Sequence, residues 1–245
     1  MIEENGTEEQ QTAAPASRRE SIGIAAKISW PIFLAYLPLG MGFGVLMAKS
    51  GWGPQWAGLS AAVVYAGSLE YLVVVFLGGG FTLGTVALMA FLLNSRHMFY
   101  GLPFLRKFRS FGPRAQAFLI YTLTDENFAL HASYRHARGD ERLIRLVYSG
   151  LTYFYWVFSA VLGGVLGAAL PFDSTGLEFS LTALFVVIAM DQIRQLGTVI
   201  PAVVAVAASA VAWVFFGREN FLLPALLLAL VGLLALRGLI EEAAR

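Results

Sequence analysis

The sequence has no cysteine. Disulfides and thiolate metal sites are therefore excluded, and cysteine usage gives no reading of redox compartment. Charge is also scarce. Only 13% of the 245 residues are charged and the formal net charge is +1, so the chain carries neither a basic nucleic-acid footprint nor a field suited to acidic partners. Histidine is limited to His97, His131 and His136, and only His97 lies well inside an apolar run. There is no Gly-x-x-x-x-Gly-Lys-Ser/Thr loop, no His-x-x-Glu-His pattern and no Gly-x-Ser-x-Gly elbow. Such a chain has no nucleotide cradle, no zinc-hydrolase ligand set and no elbow serine of its own. It is read as a non-enzyme, with no cofactor and no metal.

What is abundant is apolar sequence. Hydrophobic residues make up 58% of the chain and the mean hydropathy is +0.68. A helix needs about 20 predominantly apolar residues to cross a hydrocarbon core of roughly 30 Å. Measured against that length, eight apolar segments stand out, at 28–49, 56–77, 81–104, 116–130, 146–170, 177–191, 197–217 and 221–238. The expected fold is an all-α, polytopic helical membrane protein of seven to eight transmembrane segments, with broken or re-entrant helices and a weak internal repeat. Residues 1–27 read as a disordered polar tail, 28–239 as the helical domain and 240–245 as a short C-terminal tail. The N-terminal stretch is Glu-rich and lacks the basic n-region of a secretory signal, so the first apolar segment is read as a retained helix.

Two loops are strongly basic, RKFRSFGPR (106–114) and YRHARGDERLIR (134–145). They would fall on opposite sides of the membrane if segment 116–130 crossed it, which the positive-inside rule disfavours. That segment is short and contains LTDEN. A broken or non-spanning fourth segment answers both points.

The stretch FLLNSRHMFYGLPF (91–104) places Arg96 inside apolar sequence. Fifteen residues, about 23 Å of helix, separate it from Phe81, and about 12 Å remain to Phe104. An arginine at that depth costs several kcal/mol unless it meets an anion or a water-filled cavity; the plainer reading is an interfacial arginine that snorkels. Asn94 and His97, three apart, share a face. Three carboxylates are candidate partners: Glu70 in YAGSLEYL, and Asp125 with Glu126 in YTLTDENFAL. The plainer readings are a misplaced helix end for Glu70 and, for the other two, a helix start capped at the Thr122–Asp125 spacing. Glycine is dense in PLGMGFG, with Pro38, Gly40, Gly42 and Gly44, and again at Gly163, Gly164 and Gly167. Such density marks either close helix packing or an interrupted helix of the kind that binds charged substrate groups near mid-membrane. Segments 1–3 and 5–7 could form two halves, inverted if seven segments span.

The run NSRHMFYGLPF, the later LTDENFAL, the glycine-rich first segment and YAGSLEY in the second together resemble the AzlC (YgaZ) family of branched-chain amino-acid exporters, over about Ile28 to Leu239. The resemblance implies a multi-pass protein of the bacterial inner membrane that exports Leu, Ile, Val and in some members Met. It also implies a much smaller hydrophobic membrane subunit of the AzlD type as partner. Asn94, Arg96, Thr122, Asp125 and Glu126 carry over onto the family pattern. Glu70 departs from it, standing where glutamine is expected, which bears on substrate choice or ion coupling.

The family's substrates make chemical sense of the charges. A zwitterion needs a donor fork for its carboxylate, which Arg96 offers, and an acceptor for its ammonium, which Glu70, Asp125 or Glu126 offers. Glu70 is the preferred candidate for coupling. Two other classes are a channel, which would carry currents far above carrier turnover, and the membrane subunit of a multicomponent pump driven by another chain.

Overall fold

The computed structural model describes residues 17–134, 139–169 and 196–243, together with Val186, Ala189, Met190, Ile193 and Arg194. Most of the expected sixth segment, tail residues 1–16 and the last two residues lie outside the described residues. Among those described, every regular element is helical.

Three helices are long and apolar enough to cross a membrane: α1 (Arg18–Lys49), α9 (Glu141–Ala169) and the Ile200–Gly217 part of α10 (Ile200–Asn220). Shorter helices fill the remainder: α2 (Pro54–Val63), α3 (Gly67–Gly78), α4 (Leu83–Asn94), α5 (His97–Tyr100), a 3₁₀ turn at Leu102–Phe104, α6 (Leu105–Arg109), α7 (Pro113–Tyr121) and α8 (Asp125–Ser133), then α11 (Leu222–Ala235) and α12 (Arg237–Ala243). The chain is an all-α membrane protein. Its outer faces are apolar, as on α10, where Val203, Val206, Val214 and Phe215 are exposed. Side chains of this kind suit hydrocarbon as solvent.

Helix α1 starts at Arg18, earlier than the expected 28, because Ser17 caps it: the Ser17 hydroxyl accepts from the Glu20 N–H at 3.2 Å. At the other end, α12 carries helix to Ala243, into the expected tail at 240–245. The interrupted-helix reading of PLGMGFG is corrected. Pro31 and Pro38 both lie inside an unbroken α1, and the glycines serve close packing on α9. A Cβ on Gly40 would sit 2.6 Å from Ser159 Cβ, one on Gly44 would strike the backbone of Ala160 and Gly164, and one on Gly167 would sit 2.9 Å from Val45 Cα.

These contacts also fix direction, since residue numbers rise together along both helices. Ser21 meets Asp140, Tyr36 meets Trp156, and Val45 meets Gly167. α1 and α9 are parallel, so this pair does not show the opposed directions of an inverted repeat.

Between them the chain makes two hairpins. α2 runs antiparallel to α9, from Pro54 against Gly164 to Tyr65 against Tyr153, and α3 turns back along α1, with Tyr71 against Leu39 and Phe43. α7 climbs along α9, from Phe118 at Gly150 to Tyr121 at Tyr153, and α8 descends, from Asn127 bonded to Thr152 to His131 at Arg145. The hairpins enter from opposite ends of the α1–α9 pair and meet at their tips. Tyr121 donates to the carbonyls of Ala62 and Val63, and Tyr153 donates to Ala62 O at 2.9 Å. Those are carbonyls that the last turn of α2 would otherwise leave without partners. The fourth segment is thus broken and folded back, as the two basic loops require: Lys107 reaches Glu141 at 2.5 Å, which joins those loops at one end of the molecule. Irregular backbone at the hairpin tips is tolerated in a membrane only where protein or a cavity surrounds it, and here both do.

Candidate functional site: a cavity where three helix breaks meet

Two of the three breaks have a local cause. Between α2 and α3 the backbone passes through Tyr65 at φ 43°, a left-handed conformation that ends α2. Glu70, fully buried in the first turn of α3, then accepts from Ala66 N–H at 3.1 Å and from Trp156 Nε1 at 2.8 Å. A carboxylate there also faces the positive end of the α3 dipole. Between α7 and α8 the cap is Thr124, whose hydroxyl accepts from Asn127 N–H at 3.3 Å. This corrects the Thr122–Asp125 cap, because Thr122 is buried and its hydroxyl bonds back to Phe118 O and Leu119 O. The third break falls at Ser95 and Arg96, between α4 and α5.

Around these breaks lies a cavity of about 780 Å³. Its polar wall holds Arg96, Asp125, Glu126, Thr124 and Arg194; Ala35, Leu39, Tyr71, Trp156 and Met190 contribute apolar surface. Arg96 Nη2 pairs with Asp125 Oδ2 at 2.9 Å, and the Tyr100 hydroxyl donates to Oδ1 of the same carboxylate. Tyr36 donates to Glu126 Oε2 at 2.8 Å. Its single proton is thereby used, so the contact of 3.0 Å between Tyr36 and Thr124 has the threonine as donor. One chain of hydrogen bonds therefore runs from the α8 cap through α1 to a carboxylate at the cavity wall.

The structure thus brings Arg96, Asp125 and Glu126 together in one cavity, and it does not bring Glu70, Asn94 or Thr122 into its lining. Arg96 pairs with Asp125, and Glu70 braces the α2–α3 break. Sequence reasoning missed Tyr36, Thr124, Trp156 and Arg194. For Tyr36 and Trp156 a signal existed: an aromatic with a polar tip in an apolar run usually finds a buried partner. Arg145 is a further surprise. It was read within a basic loop, yet it is buried, with Nη1 at 2.9 Å from His131 Nδ1 and Nη2 at 2.8 Å from Glu141. With Tyr148 and Lys107 it pins α8 and α6 to α9 at the basic end. No group of metal-ligating side chains occurs among the described residues.

The family model described as AzlC protein matches residues 31–170. That stretch carries both hairpins and all three breaks. An uncharacterized membrane protein of Helicobacter pylori is 34% identical over 86% of this chain and 92% of its own length. The branched-chain amino acid transport protein AzlC of Bacillus subtilis is 31% identical over 87% of this chain and 84% of its own. The inner membrane protein YgaZ of Escherichia coli is 29% identical over 72% of this chain and 75% of its own. No solved structure matches the chain.

Proposed function

The chain belongs to the AzlC family of membrane transport proteins, and from that we propose that it carries branched-chain amino acids out of the cell across the bacterial inner membrane, as the large subunit of a two-component exporter. The single observation that carries the substrate class is the cavity: it sets two carboxylates and two arginines beside an apolar wall, in a space of about 780 Å³. A zwitterion with a branched aliphatic side chain complements all three features. Ion pairs and donor forks hold its two charged ends, and the side chain gains by leaving water. The small partner is an AzlD-type hydrophobic subunit, for which the apolar outer faces offer room beside lipid. Hairpin tips meeting from opposite ends suit alternating access, because rocking either hairpin would open the cavity to one side.

Reconstitution tests the reading. Liposomes holding the chain and its small partner should exchange labelled L-valine saturably, with leucine and isoleucine competing and lysine and aspartate not. Everted vesicles should accumulate valine, which fixes the direction as efflux. Absence of valine movement with both subunits present sinks the assignment, and steady ion currents with no saturable exchange would make the chain a channel. Full exchange by the chain alone removes the partner from the proposal.

A further inference from the structure

Four charged side chains line the cavity, and they are not equivalent. Arg96 and Asp125 form a closed pair at 2.9 Å, with the second oxygen of Asp125 held by Tyr100. That pair joins the α4–α5 break to the tip of the α7–α8 hairpin and occupies Arg96 Nη2 and both oxygens of Asp125, so each member's charge is already matched before a substrate arrives. Glu126 is different. Its one hydrogen-bond partner among the described residues is the neutral hydroxyl of Tyr36, and it makes no ion pair among them. Arg194 is likewise unpaired among the described residues. It lies exposed at the cavity and has no ion pair or hydrogen bond among the described residues. By contrast Arg145 is buried and held by Glu141, His131 and the carbonyl of Tyr134.

Building on the transporter reading above, we propose that Arg194 receives the substrate carboxylate in this conformation, with Glu126 taking the ammonium and the Arg96–Asp125 pair staying closed. A guanidinium and a carboxylate on the same cavity, neither in an ion pair among the described residues, are the charge complement of a free α-amino acid. Met190, four residues before Arg194, lines the same cavity. A side chain attached beside a carboxylate held by Arg194 would find Met190 and Leu39 on the same cavity. Arg194 is thus a specificity-determining residue: it selects for a free carboxylate, and the apolar wall selects the side chain.

The test is competition against labelled L-valine in liposomes holding the full chain and its small partner, with valinamide, which lacks the carboxylate charge, and isovalerate, which lacks the ammonium. Wild type should prefer valine to valinamide by about 10- to 100-fold, the worth of a hydrogen-bonded charge pair. In Arg194→Gln that preference should collapse because valine weakens while valinamide is unchanged, and Arg194→Lys should restore part of it. In Glu126→Gln the preference of valine over isovalerate should collapse instead. An Arg194→Gln protein of normal yield that keeps the wild-type preference for valine over valinamide overturns the proposal. A wild-type chain that moves no valine overturns the transporter reading itself, and the two failures are told apart by the wild-type arm alone.

Discussion

Arg96 and Asp125, twenty-nine residues apart in sequence, form an ion pair of 2.9 Å that joins the break between α4 and α5 to the tip of the α7–α8 hairpin. Their side chains are 40% and 36% exposed, so solvent screens the pair and its worth to folding is about 0.2–1 kcal/mol. Its role lies in holding two breaks at a fixed distance across the cavity. Arg96→Lys keeps the charge and loses the planar fork. Folded yield should stay near wild type, and valine exchange should fall about tenfold or more, the equivalent of 1.4 kcal/mol. Size-exclusion profiles measured beside flux check both halves, and an active Arg96→Lys protein would make Arg96 an ordinary interfacial cation.

Glu70 gives a contrast between its variants. Gln keeps an oxygen for Ala66 N–H and Trp156 Nε1, whereas Ala leaves both donors buried without partners, at about 1–3 kcal/mol each. Glu70→Gln should fold at least as well as wild type, and Glu70→Ala should lower the thermal midpoint in detergent. Equal midpoints for Gln and Ala would mean that the carboxylate does not brace the α2–α3 break.

The glycine seam makes a second stability prediction. A Cβ at Gly44 has no space between α1 and the backbone of Ala160 and Gly164, so Gly44→Ala should cost about 1–3 kcal/mol. Gly23, on the same helix, has nothing within 4 Å of its would-be Cβ. Gly23→Ala should stabilise by about 0.5–1 kcal/mol through backbone entropy. Thermal unfolding of the two variants side by side tests the seam, and an unperturbed Gly44→Ala would contradict the close approach of α1 and α9.

Much of this was legible in the sequence, and the misses share a cause. The broken fourth segment could be read because LTDENFAL puts two charges and a cap residue inside a run too short to span. The break at Tyr65 left a weaker mark: Gly67, Ser68 and Glu70 follow it, but the segment is long enough to span, and the left-handed residue is a tyrosine where glycine would have been the signal. PLGMGFG admits both close packing and an interruption, because small residues let a second backbone approach while proline and glycine lower local helix propensity; Gly163, Gly164 and Gly167, on a helix more than a hundred residues later, select packing. Arg145 sat among charges and read as a loop cation. Only the tertiary approach of His131 and Tyr148 buries it. Arg194 offered no local pattern at all.

Arg145 supplies a further test. Removing one partner of a buried ion pair costs about 3–5 kcal/mol. Glu141 is 26% exposed and keeps Lys107 at 2.5 Å, which places Arg145→Met at the lower end of that range. Arg106→Met, an exposed neighbour in the same basic region, should stay within about 0.5 kcal/mol of wild type. Comparable midpoints for the two would show that the His131–Arg145–Glu141 network does not pin α8 to α9.

The chain has no cysteine, so a single introduced thiol reports on one place alone. Ala129, on α8, is exposed and lines the cavity, and Ser110 is exposed well away from that lining. Ala129→Cys in liposomes that still exchange valine should react with a small maleimide, and saturating L-valine should slow that reaction. At nine times the half-protecting concentration the slowing should reach about tenfold, by mass action. Ser110→Cys should label at the same rate with and without valine. If labelling at Ala129 proceeds at one rate in the absence and presence of valine, in a preparation that transports it, then the cavity where the three breaks meet is not where the amino acid binds.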